Sequence, residues 1–120
     1  MMKEFYILKI IEEHVEIENA INQYKIADKY IKQVQEAITP RQVRKIIREL
    51  RESGEVILST PHIPGGYYMA KDEESGLSWY KDIRRKAIKE LVIARIVRDS
   101  CKRKFRQKKI EQLRIFEKVG

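Results

Sequence analysis

Residues 38–52, ITPRQVRKIIRELRE, contain the most complete helix signal in the chain, and a helix of this kind constrains the rest of the fold. Thr39 is suited to cap the helix, Pro40 suits its first position, and Gln42 stands where a capping box requires Gln or Glu. Aliphatic side chains then recur at helical spacing on one face, at Val43, Ile46, Ile47 and Leu50. This face has to be buried against other elements, which leaves the opposite face exposed.

The exposed face of this helix is basic. Taking about 100° per residue, its central residues are Arg41, Lys45 and Arg48. Arg44 lies on the flank, and only Glu49 and Glu52 dilute the positive charge. We predict that this face binds a polyanion. The alternative is a solvated face held by ion pairs four residues apart, such as Lys45–Glu49 and Arg48–Glu52.

Two further helices precede this one. The segment KEFYILKIIEEH, residues 3–14, predicts a first helix that carries His14 on its apolar face. The segment NQYKIADKYIKQVQEA, residues 22–37, predicts a second helix, for which Asn19 or Asn22 is the candidate cap. The first three elements are therefore predicted to be helices that share one core.

A hairpin and a long helix are predicted to follow. Gly54 ends the third helix, and strand-like runs at 55–59 and 67–70 flank a loop rich in Pro and Gly, which predicts a β-hairpin. The polar segment KDEESGLS, residues 71–78, is predicted to be a linker. A helix is predicted from about Ser78 to Lys118. Trp79 is predicted to anchor this helix back on the preceding domain, with burial in an interface as the alternative.

Three helices, the third of them basic, and a β-hairpin make the winged helix-turn-helix plan. The run ITPRQVRKIIRELRESGEVILST followed by GGYYMA, within residues 38–70, resembles the shared pattern of small phage and prophage DNA-binding proteins. A weaker similarity continues along WYKDIRRKAIKEL. The resemblance implies an α+β, mostly helical fold: a winged helix-turn-helix domain over 1–71, followed by a long basic C-terminal helix over 78–118. It implies double-stranded DNA as partner, in transcriptional regulation or DNA replication.

The sequence departs from this plan before the third helix. About three to five residues usually turn between the second helix and the recognition helix, but here YIKQVQEAI intervenes and contains no Gly. Either the second helix is longer than usual or the turn is extended.

Positive charge is concentrated in the last third of the chain. Residues 1–38 carry 5 Lys or Arg against 7 Asp or Glu, residues 39–80 carry 6 of each, and residues 81–120 carry 15 against 5. This excess predicts a polyanionic partner, either nucleic acid or an anionic membrane surface, with a generally basic protein as the alternative. The longest apolar run, LVIA, is too short to span a bilayer, so no membrane-spanning segment is predicted. Of the two kinds of polyanion, nucleic acid is the predicted partner, and no membrane partner is predicted.

The candidate DNA-binding residues lie in three places. In the third helix we predict base contacts from Arg41, Gln42, Lys45 and Arg48 and a phosphate contact from Arg44. At the tip of the hairpin, Thr60 and His62 are candidates, although a tip that only turns the chain is equally compatible with the pattern. In the basic tail, phosphate contacts are predicted from Lys102, Arg103, Lys104 and Arg106.

The middle of the last helix, LVIARIV, is apolar almost all round. A helix of this kind is expected to be covered on several sides, by its own domain and by a second copy. We therefore predict a homodimer whose interface contains Leu91, Ile93, Ile96 and Val97. Alternatives for the whole protein are a protein–protein adaptor, with a partner in a viral or host complex, and RNA binding through the basic tail.

An enzyme is not predicted. His14, His62 and Cys101 have no zinc-site spacing, PGGYY lacks the Lys and Ser/Thr of a phosphate-binding loop, and no catalytic group, metal or cofactor is expected. The single cysteine excludes an internal disulfide. We expect a soluble cytoplasmic protein of a bacterium or a virus-infected host cell.

Overall fold

The computed structural model describes residues 2–61 and 65–119, which are mostly helical. Along the chain they form α1 Met2–Glu12, a 3₁₀ turn Ile17–Asn19, α2 Gln23–Val34, α3 Pro40–Glu52, β1 Ile57–Thr60, β2 Gly66–Met69 and α4 Glu73–Val119. The chain divides into two compact units, Met1–Trp79 and Tyr80–Gly120. The predicted helical fold with an antiparallel hairpin and a long last helix is confirmed.

Helix α3 begins and ends as its sequence predicts. The Thr39 hydroxyl accepts a hydrogen bond from the Gln42 amide at 3.1 Å, and the Gln42 Oε1 accepts one from the Thr39 amide at 2.9 Å, which completes the capping box. At the other end Gly54 has φ +110°, and the Glu55 amide donates to the Leu50 carbonyl at 3.0 Å. Gly54 therefore turns the chain out of the helix in a Schellman arrangement.

The core of the first unit lies between α1, α2 and α3. Its largest buried side chain is Tyr30, whose hydroxyl donates to the Glu36 carboxylate at 3.0 Å, and burial is the main cause that raises the pKa of Tyr30. The aliphatic members that surround it include Ile7, Ile10, Ile11, Ile26, Val43 and Ile47. The buried faces of the three helices thus meet in one cluster.

The second helix includes the first five residues of YIKQVQEAI, 30–34. Asn22 caps α2 by accepting from the Lys25 amide at 2.9 Å, and the helix continues to Val34. Gln35 then adopts a left-handed conformation, with φ 59° and ψ 33°, and ends it. The connection to α3 is consequently residues 35–39, a length that is usual between two such helices.

The predicted two-stranded hairpin is joined at one edge by two isolated β-bridges from the segment between α1 and α2. Strands β1 and β2 pair antiparallel, with Leu58 opposite Tyr68. On the far side of β2, Ile21 and Tyr67 exchange two backbone hydrogen bonds of 2.9 and 2.8 Å, and the Met69 amide donates to the His14 carbonyl at 2.8 Å. The connection between α1 and α2 therefore covers one edge of the hairpin, which the sequence did not predict.

Several predicted boundaries are wrong. Helix α4 begins at Glu73 rather than near Ser78, because Asp72 caps it by accepting from the amide and hydroxyl of Ser75, both at 2.8 Å. These hydrogen bonds lower the pKa of Asp72. Helix α1 ends at Glu12, so His14 is not on a helical face. The remaining differences, in α2 and both strands, are one to three residues at an end.

Gly66 tests the link between the hairpin and the α1–α2 connection. Its φ is +140°, and a Cβ there would collide with the Ile21 backbone. Gly66→Ala should cost roughly 3 kcal/mol or more in the free energy of unfolding, since a clash adds to strained backbone. Gly54→Ala is the matched control, because Gly54 has φ +110° with open space around it; it should cost about 1 kcal/mol. Equal losses of unfolding free energy in the two variants, measured by urea unfolding, would contradict the close contact between Gly66 and the Ile21 backbone.

Candidate nucleic-acid interface

The outward face of α3 is a continuous row of cations, called here the basic stripe: Arg41, Lys45 and Arg48. All three side chains are exposed, whereas Val43 and Ile47 on the opposite side are 0% and 1% exposed. At 1.5 Å per residue the stripe is about 10 Å long. Burial of the aliphatic face thus presents the cations to solvent on the side away from the core.

The stripe residues differ in their partners. Arg48 Nε lies 3.4 Å from the Glu52 Oε1, and both side chains are mostly exposed, so this ion pair is weak. Within residues 2–61 and 65–119, no ion pair joins Lys45 to Glu49, so one of the two pairs of the solvated alternative is absent there. Among the described residues, Arg41 and Lys45 are therefore the stripe cations with no ion pair that binding of a ligand would break.

The residues that flank the stripe are held in place. Arg44 Nη1 donates to the Gln23 Oε1 at 3.0 Å, which ties the guanidinium to the start of α2. The Gln42 Oε1 is held by the capping box, while its amide nitrogen can still donate to a ligand. Both side chains are exposed, but each has a structural contact. The capping contact of Gln42 was predicted, whereas the hydrogen bond of Arg44 was not.

The hairpin candidates are only partly described. Thr60 is the last residue of β1 and is half-buried. The prediction for His62 lies outside the described residues. Of the two tyrosines of β2, Tyr68 is 8% exposed and Tyr67 is half-buried, so both pack against the protein rather than project from it.

Arg51, at the last turn of α3, supports the hairpin beside the basic stripe through contacts that the sequence analysis missed. Its guanidinium carbon lies 5.8 Å from the Tyr67 ring centroid and 5.6 Å from that of Trp79, and its Nε donates to the Ile57 carbonyl at 2.8 Å. The Arg51 Nη2 is buried and has no hydrogen-bond partner among the described residues. Burial lowers the pKa of Arg51, but an arginine so placed stays charged.

Trp79 completes this contact. The indole Nε1 donates to the Ser59 carbonyl at 2.8 Å, so the two outward carbonyls of β1, those of Ile57 and Ser59, are both occupied by side chains. An occupied strand edge resists pairing with other chains. Arg51 and Trp79 therefore hold the hairpin to the end of α3 and to the first turns of α4. A signal was available: Arg51 follows Leu50 at the border of the apolar face.

From Tyr80 to Glu117 every side chain of α4 is exposed. The expectation that the apolar middle is buried within the chain is wrong, since Leu91, Ile93, Ile96 and Val97 are 59–62% exposed. The four tail cations predicted to bind phosphate, Lys102, Arg103, Lys104 and Arg106, are exposed as well. At about 100° per residue they point in different directions around the helix rather than to one side.

Other candidate chemistry is limited. His14 lies half-exposed beyond α1, with Nδ1 2.7 Å from the Asn19 carbonyl and Nε2 3.4 Å from the Lys29 Nζ. The prediction that His14 lies on the apolar face of the first helix is therefore wrong. Among the described residues no group of three or more His, Cys, Asp or Glu side chains is arranged to hold a metal ion. In the same part of the chain, no helix has the length and apolar character that crossing a membrane requires.

Comparisons of this chain with protein-family models, with curated proteins and with solved structures found no match.

Trp79→Phe tests the edge contact directly. The variant keeps a ring beside Arg51 but leaves the Ser59 carbonyl without its donor, which should lower the free energy of unfolding by about 1 kcal/mol. Tyr80→Phe is the control, because Tyr80 is 55% exposed and should be within about 0.5 kcal/mol of the parent. Equal stability of the two variants in urea would remove the assigned role of the indole N–H.

Proposed function

We propose that this chain is a double-stranded DNA-binding protein with a winged helix-turn-helix domain, and that α3 is its recognition helix. The observation that carries the proposal is the basic stripe of α3, which faces solvent because the other side of the helix is fixed in the core. The arrangement of three helices and an antiparallel hairpin with a braced edge is consistent with it.

The stripe suits a major groove in size and chemistry. A helix fits into that groove, and a stripe about 10 Å long spans roughly three base pairs at 3.4 Å each. Arginine can donate two hydrogen bonds to one guanine edge, which assigns base reading to Arg41 and Arg48. Lys45 lies between them. Arg44, already held by Gln23, has the restricted reach of a phosphate contact.

The hairpin and the tail would add contacts that do not depend on sequence. The hairpin follows α3 directly, so its tip, with Thr60 and His62, is assigned to the adjacent backbone. In the tail, six of the eight residues 102–109 are Lys or Arg, and exposed cations of this kind mainly bind phosphates. The similarity of residues 38–70 to small phage and prophage proteins supports a role in transcriptional regulation or DNA replication, carried out as a homodimer.

Two other functions are favoured by particular observations. The exposed apolar middle of α4 favours a protein–protein adaptor, and the basic tail favours RNA. A salt titration of binding to duplex DNA, single-stranded DNA and RNA of one sequence separates them. The proposal predicts tightest binding to the duplex, with an affinity that falls steeply with salt. Preference for RNA, or no binding to any of the three, would contradict it.

Replacement of Arg41 or Arg48 by Ala should weaken binding to a selected site. If the side chain holds a guanine edge, the loss is roughly 1–3 kcal/mol on that site and much smaller on a scrambled duplex. Stability should change by no more than about 0.5 kcal/mol, since both side chains are exposed. Ile47→Ala, by contrast, should cost about 2–5 kcal/mol of stability through a core cavity.

The matched control for these variants is Lys32→Ala, which removes one exposed cation from α2 outside the stripe. It should leave discrimination between the two duplexes unchanged. Fluorescence anisotropy with each duplex gives the affinities. Equal losses on the selected and the scrambled duplex for Arg41→Ala and Arg48→Ala would reduce α3 to a phosphate contact.

The tail is tested by changing Lys102, Arg103, Lys104 and Arg106 together to Gln, which keeps helix propensity while removing charge. Affinity should fall alike on all duplexes. The slope of log K against log salt should become shallower by up to about 3.6, since each phosphate contact contributes about 0.9. A changed sequence preference in this variant would mean that the tail reads bases.

A further inference from the structure

One side of α4 carries a regular row of residues spaced alternately four and three apart over 26 positions, called here the seam: Tyr80, Arg84, Ala87, Leu91, Ala94, Arg98, Cys101 and Phe105. This spacing is the heptad pattern that keeps one face of a helix against a partner helix. Every member is exposed, Leu91 at 59% and Phe105 at 61%. A row of this length that nothing in the described chain buries needs a partner element.

The seam residues complement those of a reversed copy in size. With the two copies centred between residues 92 and 93, Leu91 faces Ala94 and Arg98 faces Ala87. Arg84 likewise faces Cys101. In these three pairs a large side chain meets a small one, and Tyr80 faces Phe105 at each end. Alternating large and small residues of this kind fill a helix–helix interface.

Charge argues against the parallel alternative. In a parallel pair in register, Arg84 and Arg98 would each face the same residue of the other copy, which places like charges at the centre of the interface. The six cations of residues 102–109 would also lie beside six more. A reversed pair instead separates the two basic segments by roughly 40 Å, at 1.5 Å per residue.

We propose that α4 pairs antiparallel with a second copy of this chain through the seam, with Leu91 opposite Ala94 of the second copy. The contact centre lies between residues 92 and 93. Of the predicted interface residues only Leu91 belongs to the seam, because Ile93 and Ile96 lie on the other side of α4 at about 100° per residue. The inference deepens the proposed homodimer and does not depend on DNA binding.

The arrangement also bears on how the proposed function operates. The basic segments, residues 102–109 of each copy, lie at opposite ends of the pair, and their separation of roughly 40 Å is similar to one turn of B-DNA, about 34–36 Å. Two tails so spaced can contact phosphates one turn apart on a single face of a duplex. This step, unlike the pairing itself, rests on the proposed function.

The single native cysteine provides the test. In the antiparallel pair Cys101 faces Arg84 of the second copy, so the full-length R84C variant should form intermolecular disulfides under mild oxidation, seen as a covalent dimer on non-reducing gels. Wild-type chains should not crosslink, because their two Cys101 residues lie roughly 25 Å apart. K89C is the matched control, since Lys89 is exposed on the opposite side of α4 and should not crosslink. Wild-type crosslinking, or none with R84C, would overturn the proposal.

A second pair of variants needs no crosslink. Leu91→Arg should weaken self-association at least tenfold in sedimentation equilibrium, whereas Ile93→Arg, equally exposed but off the seam, should leave it within about twofold. Neither side chain is buried in the single chain, so neither change should unfold it. Equal effects of the two variants on self-association, or a monomeric wild type at micromolar concentration, would overturn the proposed pairing through the seam. Duplex binding by a monomeric wild type would leave the DNA-binding proposal standing.

Discussion

Helix α3 buries Val43, Ile46, Ile47 and Leu50 in the core it shares with α1 and α2, and this packing fixes the rotation of the helix about its axis. A helix with four buried side chains on one face cannot turn its cations inward without exposing all four. Capping at Thr39 and the turn at Gly54 fix its position along the axis as well. The direction and length of the basic stripe therefore follow from an apolar contact on the other side of the same helix.

The hairpin depends on the same helix through its last turn. Arg51 reaches from α3 to the β1 backbone, and its guanidinium carbon lies 5.8 Å from the ring centroid of Tyr67 and 5.6 Å from that of Trp79. On the other edge of the sheet, the connection between α1 and α2 pairs with β2 through Ile21. Both edges are thus attached to the rest of the first unit, and a ligand that contacts α3 and the hairpin together would meet two parts of one compact unit. Under the DNA-binding proposal these attachments set the spacing between groove and backbone contacts.

What the sequence predicted well is encoded locally. Each end of α3 is specified by residues close to it: Thr39, Pro40 and Gln42 at the start and Gly54 at the end. The capping residues and the helical spacing of the apolar residues were therefore sufficient to predict this helix. The pairing of Ile21 with Tyr67 joins residues far apart in sequence, and no local pattern indicates it. Arg51 stands at the border of the apolar face, but its contacts were missed because its partners Ile57, Tyr67 and Trp79 come from three separate segments. The start of α4 was misplaced because Asp72 and the glutamates after it suit a helix N-terminus as well as a linker.

The central claim, that the outward face of α3 binds duplex DNA, is tested most directly by a backbone amide NMR titration of the full chain with a duplex and with its separated strand. The account predicts that the duplex produces its largest shift changes along Arg41–Arg48 and in the hairpin, with smaller changes in residues 102–109. The single strand should shift mainly the tail. A duplex titration that moves only α4 resonances and leaves α3 unchanged would contradict the account.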